Sequence, residues 1–327
     1  MANAEKKMMR IATTRSARRG RRHVLMLIAL RASSSTATSE QSCAASDAPL
    51  PFKLTHKWQQ SPDSWLLRYA LPPGKKWLGD DHFVPTCVKV LFADGTDAKT
   101  GEPKPLEKSY SPVSHPQVEG FFDLIVKGYP PRHGGGVGSY LCDMKVGDTV
   151  LGTLKSKRDM HGGAAVLGRW QNIGLVAGGT GIAPLLQIAR IVLESSDEAA
   201  RSTMVHLLSI NRRHEDILAR DLIEELRTQH PQRFKVAYSL TQPPAQGWEG
   251  FTGRGSRSMV EAALPRPTND SKTMVLVCGT DGFVSTWGGP IGRAPSGPDG
   301  KKGAKVQGPL RGLLAEAGFD ESEVFKY

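Results

Sequence analysis

The hydrophobic positions in the second half of the chain alternate between two periods. Ile173, Leu175 and Val176 form a short apolar run of the kind that makes a buried strand. Gly178, Gly179 and Gly181 follow, with Thr180 between them. After Pro184 the residues Leu185, Leu186, Ile188, Ala189, Val192 and Leu193 recur at helical spacing. The alternation then repeats. Met204 to Ile210 is a predicted strand, and Asp216 to Thr228 a helix with Ile217, Leu218, Leu222, Ile223 and Leu226 on one face. Phe234 to Leu240 is a strand, Ser256 to Leu264 a short helix, and a strand from Met274 ends at Gly279. Strands alternating with helices across 169–327 predict an α/β doubly wound parallel sheet.

The first half has a different rhythm. Ser64 to Leu71, Val84 to Leu91 and Phe121 to Val126 are predicted strands, and Lys145 to Val150 is a turn leading into another. Only Ser139 to Met144, after Gly134, Gly135 and Gly136, is helix-like. Short strands punctuated by Gly and Pro predict a small all-β barrel over 49–168. Residues 285–309, rich in Gly, Pro and Lys, are predicted to be a long surface loop, and 1–48 a tail. A chain of 327 residues has room for two such domains, each with its own core.

Charge alters this picture only at the amino-terminal end. Of the net +11, residues 1–39 carry +8: Lys6, Lys7, Arg10, Arg15, Arg18, Arg19, Arg21, Arg22 and Arg31 against Glu5. The remaining +3, with no basic–aromatic interleaving, argues against a nucleic-acid-binding protein. The tail is Arg-rich and acid-poor and ends in Ser/Thr-rich sequence, the composition of a mitochondrial presequence. A secretory signal, or a short anchor giving peripheral association with the endoplasmic reticulum membrane, is the competing reading of its apolar patch Val24 to Leu30. No apolar run reaches the roughly 18 residues of a membrane-spanning helix. Cys43, Cys87, Cys142 and Cys278 are widely spaced, which predicts reduced thiols and no metal site.

The candidate chemistry begins at the glycine turn. Glycines let backbone N–H groups approach an anion closely, and a helix start adds its positive dipole end. Three further stretches accompany Gly178 to Gly181. They are Lys108-Ser109-Tyr110-Ser111-Pro112-Val113-Ser114, then Phe122 to Tyr129 followed by Gly135 to Leu141 and Met144 to Asp148, and Cys278-Gly279-Thr280-Asp281-Gly282-Phe283. In order and spacing, over residues 52–284, they resemble the NADH–cytochrome b5 reductase family within the ferredoxin-reductase-like flavoenzymes.

That resemblance implies an FAD-binding barrel followed by an NAD(P)-binding domain, and it assigns residues to each. Lys108 stands where the family has Arg, so it retains the charge but loses the bidentate fork. Tyr110 would contact the ribityl and phosphate of FAD, and Ser111 would lie near the isoalloxazine. Ile125, Lys127 and Tyr129 match the flavin-lining strand. Gly135, Gly136, Val137, Gly138 and Ser139 match the loop that cradles the FAD phosphates, with Gly138 or Ser139 at the usual Ser position. The Gly-Pro turn expected after the Gly147-Asp148 strand is replaced by Gly152-Thr153-Leu154-Lys155. Gly178, Gly179, Thr180 and Gly181 match the pyridine-nucleotide loop, with Thr180 beside the nicotinamide. Cys278, with Gly279, would help orient C4 toward flavin N5, and Asp281 would reach the nicotinamide ribose or amide. NADH is the expected donor. NADPH stays open, because Thr241 stands where NADH-specific members carry an acid, and Arg212 and Arg213 lie nearby.

The expected activity is therefore transfer of hydride from NAD(P)H to flavin N5 and of single electrons to a separate protein, with Ser111, Thr180 and Cys278 as the residues at the reacting atoms. Cytochrome b5 is the acceptor the resemblance implies, and the chain is expected to act as a monomer. A reductase serving a hydroxylase, desaturase or quinone is one alternative. A flavin-binding assembly subunit without turnover is another.

Overall fold

The computed structural model describes residues 48–79, 84–97, 99–129, 136–155, 160–161, 163, 165–268, 270–296, 303 and 305–327. The first half forms β1 (Leu50–Ser61), β2 (Ser64–Ala70), β3 (Val88–Phe92), β4 (Leu106–Tyr110), β5 (Phe121–Lys127) and β6 (Thr149–Leu154). They make one sheet in the order β4-β3-β6-β1-β2-β5, antiparallel throughout. Phe52, Leu54, Leu67, Tyr69, Val88, Val90, Phe122, Leu124 and Val126 share a single buried cluster, so the sheet curls around one core. Helix α1 (Val137–Asp143) adds Val137 and Leu141 to that core and packs against β5, β3 and β4, covering the seam between the outermost strands. On the other face Arg68 grips Asp123 through two hydrogen bonds of 2.8 and 2.9 Å across β2 and β5.

The second half is a parallel six-stranded sheet. Its strands are β7 (Asn172–Gly178), β8 (Met204–Asn211), β9 (Phe234–Leu240), β10 (Phe251–Thr252), β11 (Thr273–Cys278) and β14 (Val324–Lys326), in the order β10-β9-β8-β7-β11-β14. The helices are α2 (Ile182–Leu193), α3 (Glu198–Arg201), α4 (Arg220–Gln229), α5 (Arg257–Ala263), α6 (Asp281–Gly288) and α7 (Leu313–Glu316). The chain moves outward from β7 through β8 and β9 to β10, then returns to place β11 on β7's other side. The order reverses between β7 and β11, the switch point where such sheets bind ligands beyond the carboxyl ends of their strands. The edge strand β14 is shielded. The Gln307 side-chain amide pairs with both the N–H and C=O of Lys326, and His161 Nε2 lies 2.7 Å from Val324 O. These residues line a cavity of about 310 Å³ whose polar groups bond to one another.

Several expected elements shift. The strand predicted from Val84 begins only at Val88, and the helix predicted from Ser139 begins at Val137. The helix predicted from Asp216 begins at Arg220, because Ala219 adopts φ 56° and separates it from a 3-10 turn over His214–Asp216. The predicted loop 285–309 is corrected most. Helix α6 runs to Gly288, and β12 (Ile291–Arg293) pairs antiparallel with β13 (Lys305–Gln307). Strands β1, β4, β10 and β14 had no predicted counterpart. The tail 1–47, including Cys43, lies outside the described residues, as does Gly135. Among the described residues no helix is long and apolar enough to cross a membrane.

Candidate functional site

The barrel-side candidates converge where β4, β5 and the start of α1 meet. Pairing of β4 with β3 sets Tyr110 opposite Val88 and Lys108 opposite Val90, so both side chains leave the same side of the strand. The Tyr110 hydroxyl is buried and has no hydrogen-bond partner among the described residues. Burial pushes its pKa above the usual phenol range, so it is a neutral donor at physiological pH. The Lys108 ammonium lies 5.3 Å from the Tyr110 ring centre and 5.9 Å from that of Tyr129, and partial loss of its hydration lowers its pKa. No carboxylate pairs with Lys108 among the described ion pairs. Tyr129 itself is 49% exposed, an aromatic surface open to a ligand.

Helix α1 begins at Gly136 without a capping side chain. Gly138 is required by close approach: a Cβ there would lie 2.8 Å from the Lys127 carbonyl oxygen and 3.6 Å from the Tyr110 hydroxyl. The glycine thus lets the helix start sit directly over β5 and beside the orphaned hydroxyl. Ser139 donates its hydroxyl to Tyr129 O at 2.8 Å, so its side chain is engaged within the loop and its backbone N–H is what it can offer an anion. Lys127 pairs with Asp63 at 2.7 Å. Burial acts to raise the Asp63 pKa, but the bonds from Lys127, Ser61 and Ser64 prevail and hold it below the usual value. Lys127 therefore offers its backbone rather than its charge. Ile125 is buried within β5, and Ser111 is half-buried just after β4. Among the described residues, a hydroxyl donor and a cation without partners, a helix start without a capping side chain and an open ring form a donor set that fits the pyrophosphate and ring of a flavin dinucleotide.

The nucleotide-side candidates meet at the switch point. Gly178 ends β7, Gly179 has φ 52°, and Gly179–Gly181 form a 3-10 turn that leads into α2. A Cβ on Gly181 would fall on the Cys278 carbonyl, and one on Gly178 would lie 2.8 Å from the Phe283 ring. The turn after β7 and the turn after β11 are therefore in van der Waals contact, although about one hundred residues separate them. Cys278 pairs with Ala177 across the sheet and is half-buried, as are Thr180 and Gly279. Asp281 is exposed in the first turn of α6, whose N-cap is the Thr280 hydroxyl. Phe283, quoted in the motif but assigned no role there, packs over Gly178 and Gly279 and closes one side of the site.

The two halves of the site face each other. β5 comes within 8 Å, Cα to Cα, of the Gly179–Gly181 turn. A second link joins Arg212, after β8, to Asp63 at 3.7 Å. Arg212 also bonds Asp216, and Arg213 Nε donates to Gln242. Arg212 and Arg213, the basic pair near Thr241, are thus engaged locally, while Thr241 continues the β8–β9 ladder through its N–H to Asn211 O. Asp63 had no role in the sequence reading. It sits in the tight turn between β1 and β2, where a lone carboxylate gives no local signal.

Comparison with known proteins agrees with this architecture. Residues 51–153 match the Oxidoreductase FAD-binding domain family, and 175–287 match the Oxidoreductase NAD-binding domain family. The fold resembles the cytochrome b5 reductase domain of Ulva prolifera nitrate reductase, with a TM-score of 0.65 at 23% identity over 86% of this chain and 97% of that one. An "NADH-cytochrome b5 reductase-like protein" of Arabidopsis thaliana is 31% identical over 281 residues, covering 86% of this chain and 77% of its own. An "NADH-cytochrome b5 reductase 2" of Aspergillus clavatus is 34% identical over 240 residues, covering 73% and 68%. With both cofactor domains in this order and relatives aligned across both, the chain belongs to the NADH–cytochrome b5 reductase family of FAD- and NAD-binding oxidoreductases.

Proposed function

We propose that this reductase passes electrons from NADH to cytochrome b5, with FAD held by Lys108, Tyr110, β5 and the Gly136–Ser139 helix start, and the nicotinamide held by Gly178–Gly181, Cys278 and Gly279. The approach of β5 to the Gly179–Gly181 turn carries this reading, because hydride moves only between groups held within a few ångströms of each other. Bound FAD supplies a two-electron hydride acceptor and a one-electron donor in a single group.

The chain's own contribution is to bind, orient and exclude water. The Tyr110 hydroxyl would donate to a phosphate oxygen, and Lys108 would offset the pyrophosphate charge. The N–H groups that open α1 would serve the same anion. Ser111 would offer a hydroxyl to the flavin ring. Thr180 and Cys278 would flank a bound nicotinamide, while Phe283, packed over Gly178 and Gly279, would wall off solvent on that side. Asp281 extends the site toward the nicotinamide ribose. No side chain need give or take a proton in the hydride step.

The experiment is to mix FAD-loaded protein with NADH and a soluble cytochrome b5 and to follow haem reduction. Rapid reduction supports the acceptor assignment. Turnover with a small artificial acceptor but not with cytochrome b5 would assign another partner. For the tail, a mitochondrial presequence is the reading its composition supports, and a reporter fused to residues 1–48 that stays outside mitochondria would reject it.

A further inference from the structure

We infer that Gln187 is a positioning residue that locks the nicotinamide-binding turn against the flavin-binding segment and so sets the geometry of hydride transfer. The inference rests on the functional reading above. Helix α2 is almost wholly apolar, and Gln187 stands on its most buried side at 0% exposure. Its amide is spent on the other domain. Oε1 accepts the Thr86 N–H at 2.8 Å, while Nε2 donates to Thr86 Oγ1 at 3.0 Å and to Ser114 O at 3.4 Å. By contrast Arg190, the other polar residue of α2, pairs within its own domain with Glu194 at 2.9 Å.

The positions of the partners give the amide its leverage. Gln187 lies six residues beyond Gly181 on the helix that the glycine turn opens, about 9 Å along a rigid rod. Ser114 lies three residues beyond Ser111 and is itself fixed, because its Oγ accepts the Asp123 N–H at 3.1 Å on β5. One side chain therefore ties the turn proposed for the nicotinamide to the segment and strand proposed for the flavin. Apolar contacts tolerate sliding, whereas an amide with both ends bonded in a buried site does not, since displacement leaves buried polar groups unpaired. The Arg212 to Asp63 link is longer, and the Arg212 side chain is 61% exposed, so it restrains the interface much less.

The test uses the FAD-loaded protein and its Gln187→Met and Gln187→Glu variants, with anaerobic stopped-flow bleaching of the flavin at saturating NADH. The expected result for Gln187→Met is an unchanged flavin spectrum, near-normal NADH affinity and a limiting bleaching rate reduced by about 10- to 100-fold, the scale of an ångström-sized misplacement. For Gln187→Glu the rate should recover partly as pH falls, because the protonated carboxyl can both accept from Thr86 N–H and donate to Ser114 O. A normal limiting rate in Gln187→Met, with only its melting temperature lowered, overturns the inference. If Gln187→Met does not fold, a pH-independent rate in Gln187→Glu overturns it as well. Wild-type flavin that NADH cannot bleach would refute the functional reading itself, before either variant is needed.

Discussion

Tyr110→Phe separates the cofactor reading of the barrel from a purely structural one, because the two states of the protein should respond with opposite signs. Without FAD the hydroxyl is buried with no partner among the described residues, and such a group costs about 1–3 kcal/mol. Removing it leaves the ring packed and should leave the apoprotein as stable or more so. Each kcal/mol gained is worth about 2–4 °C in a domain of this size. With FAD bound, the same hydroxyl is proposed to donate to a phosphate oxygen, a bond to a charged group worth about 1.5–3 kcal/mol. The variant should then bind FAD about 10- to 150-fold more weakly. Fluorescence titration of apoprotein with FAD, alongside thermal melts with and without FAD, reads both signs. Unchanged FAD affinity would show that the hydroxyl does not meet the cofactor. A destabilised apoprotein would show that it has a partner in the free protein, and either result refutes the reasoning.

Three further outcomes are expected from the same site and its surroundings. Gly181→Ala places a methyl group on the Cys278 carbonyl, so kcat/KM for NADH should fall about tenfold or more from overpacking while FAD stays bound; an unchanged kcat/KM would show that the two turns need not touch. Burial pushes the Cys142 thiol up to about 11 from its ordinary 9.0, so the folded state holds that proton longer than the unfolded one. Its contribution to stability is full below pH 9 and is lost as pH rises from there through about 11. Urea midpoints of wild type should therefore fall faster than those of Cys142→Ser over that window, and parallel profiles would contradict this. Thr241→Asp adds a charge beside the end of β9 and should shift the ratio of NADH to NADPH turnover toward NADH by about tenfold, whereas an unchanged ratio removes Thr241 from the nucleotide site.

The centre of the nucleotide domain was legible because β7 and β11 are nearly continuous apolar runs that lead into glycine turns, and α2 and α4 are long enough to carry a 3.6-residue stripe. The barrel was harder. Strand β1 alternates only through Phe52 and Leu54, then shifts register near His56 and again near Ser61, so its second half has no clean period. β14 is three residues long and is held by its neighbour β11 and by side chains from elsewhere, which no local pattern records. The hairpin of β12 and β13 has too little apolar content to stand out from its Gly/Pro surroundings. The cofactor motifs named most of the residues that the fold brings together around the two turns and β5. What they left out were contacts between distant segments: Asp63 on Lys127 and Arg212, Phe283 over two glycine turns, and Gln187 across the domain boundary. Gln187 did leave a trace, a polar residue inside the otherwise apolar stretch Ile182 to Ile188, but its partners could not be read without the fold.

The most direct test of the whole account is anaerobic titration of the FAD-loaded protein with NADH while the flavin absorbance is recorded. A site in which one domain holds the flavin and the other presents the nicotinamide predicts stoichiometric bleaching, about one NADH per flavin. Flavin that remains oxidised in the presence of excess NADH and excess NADPH would contradict it.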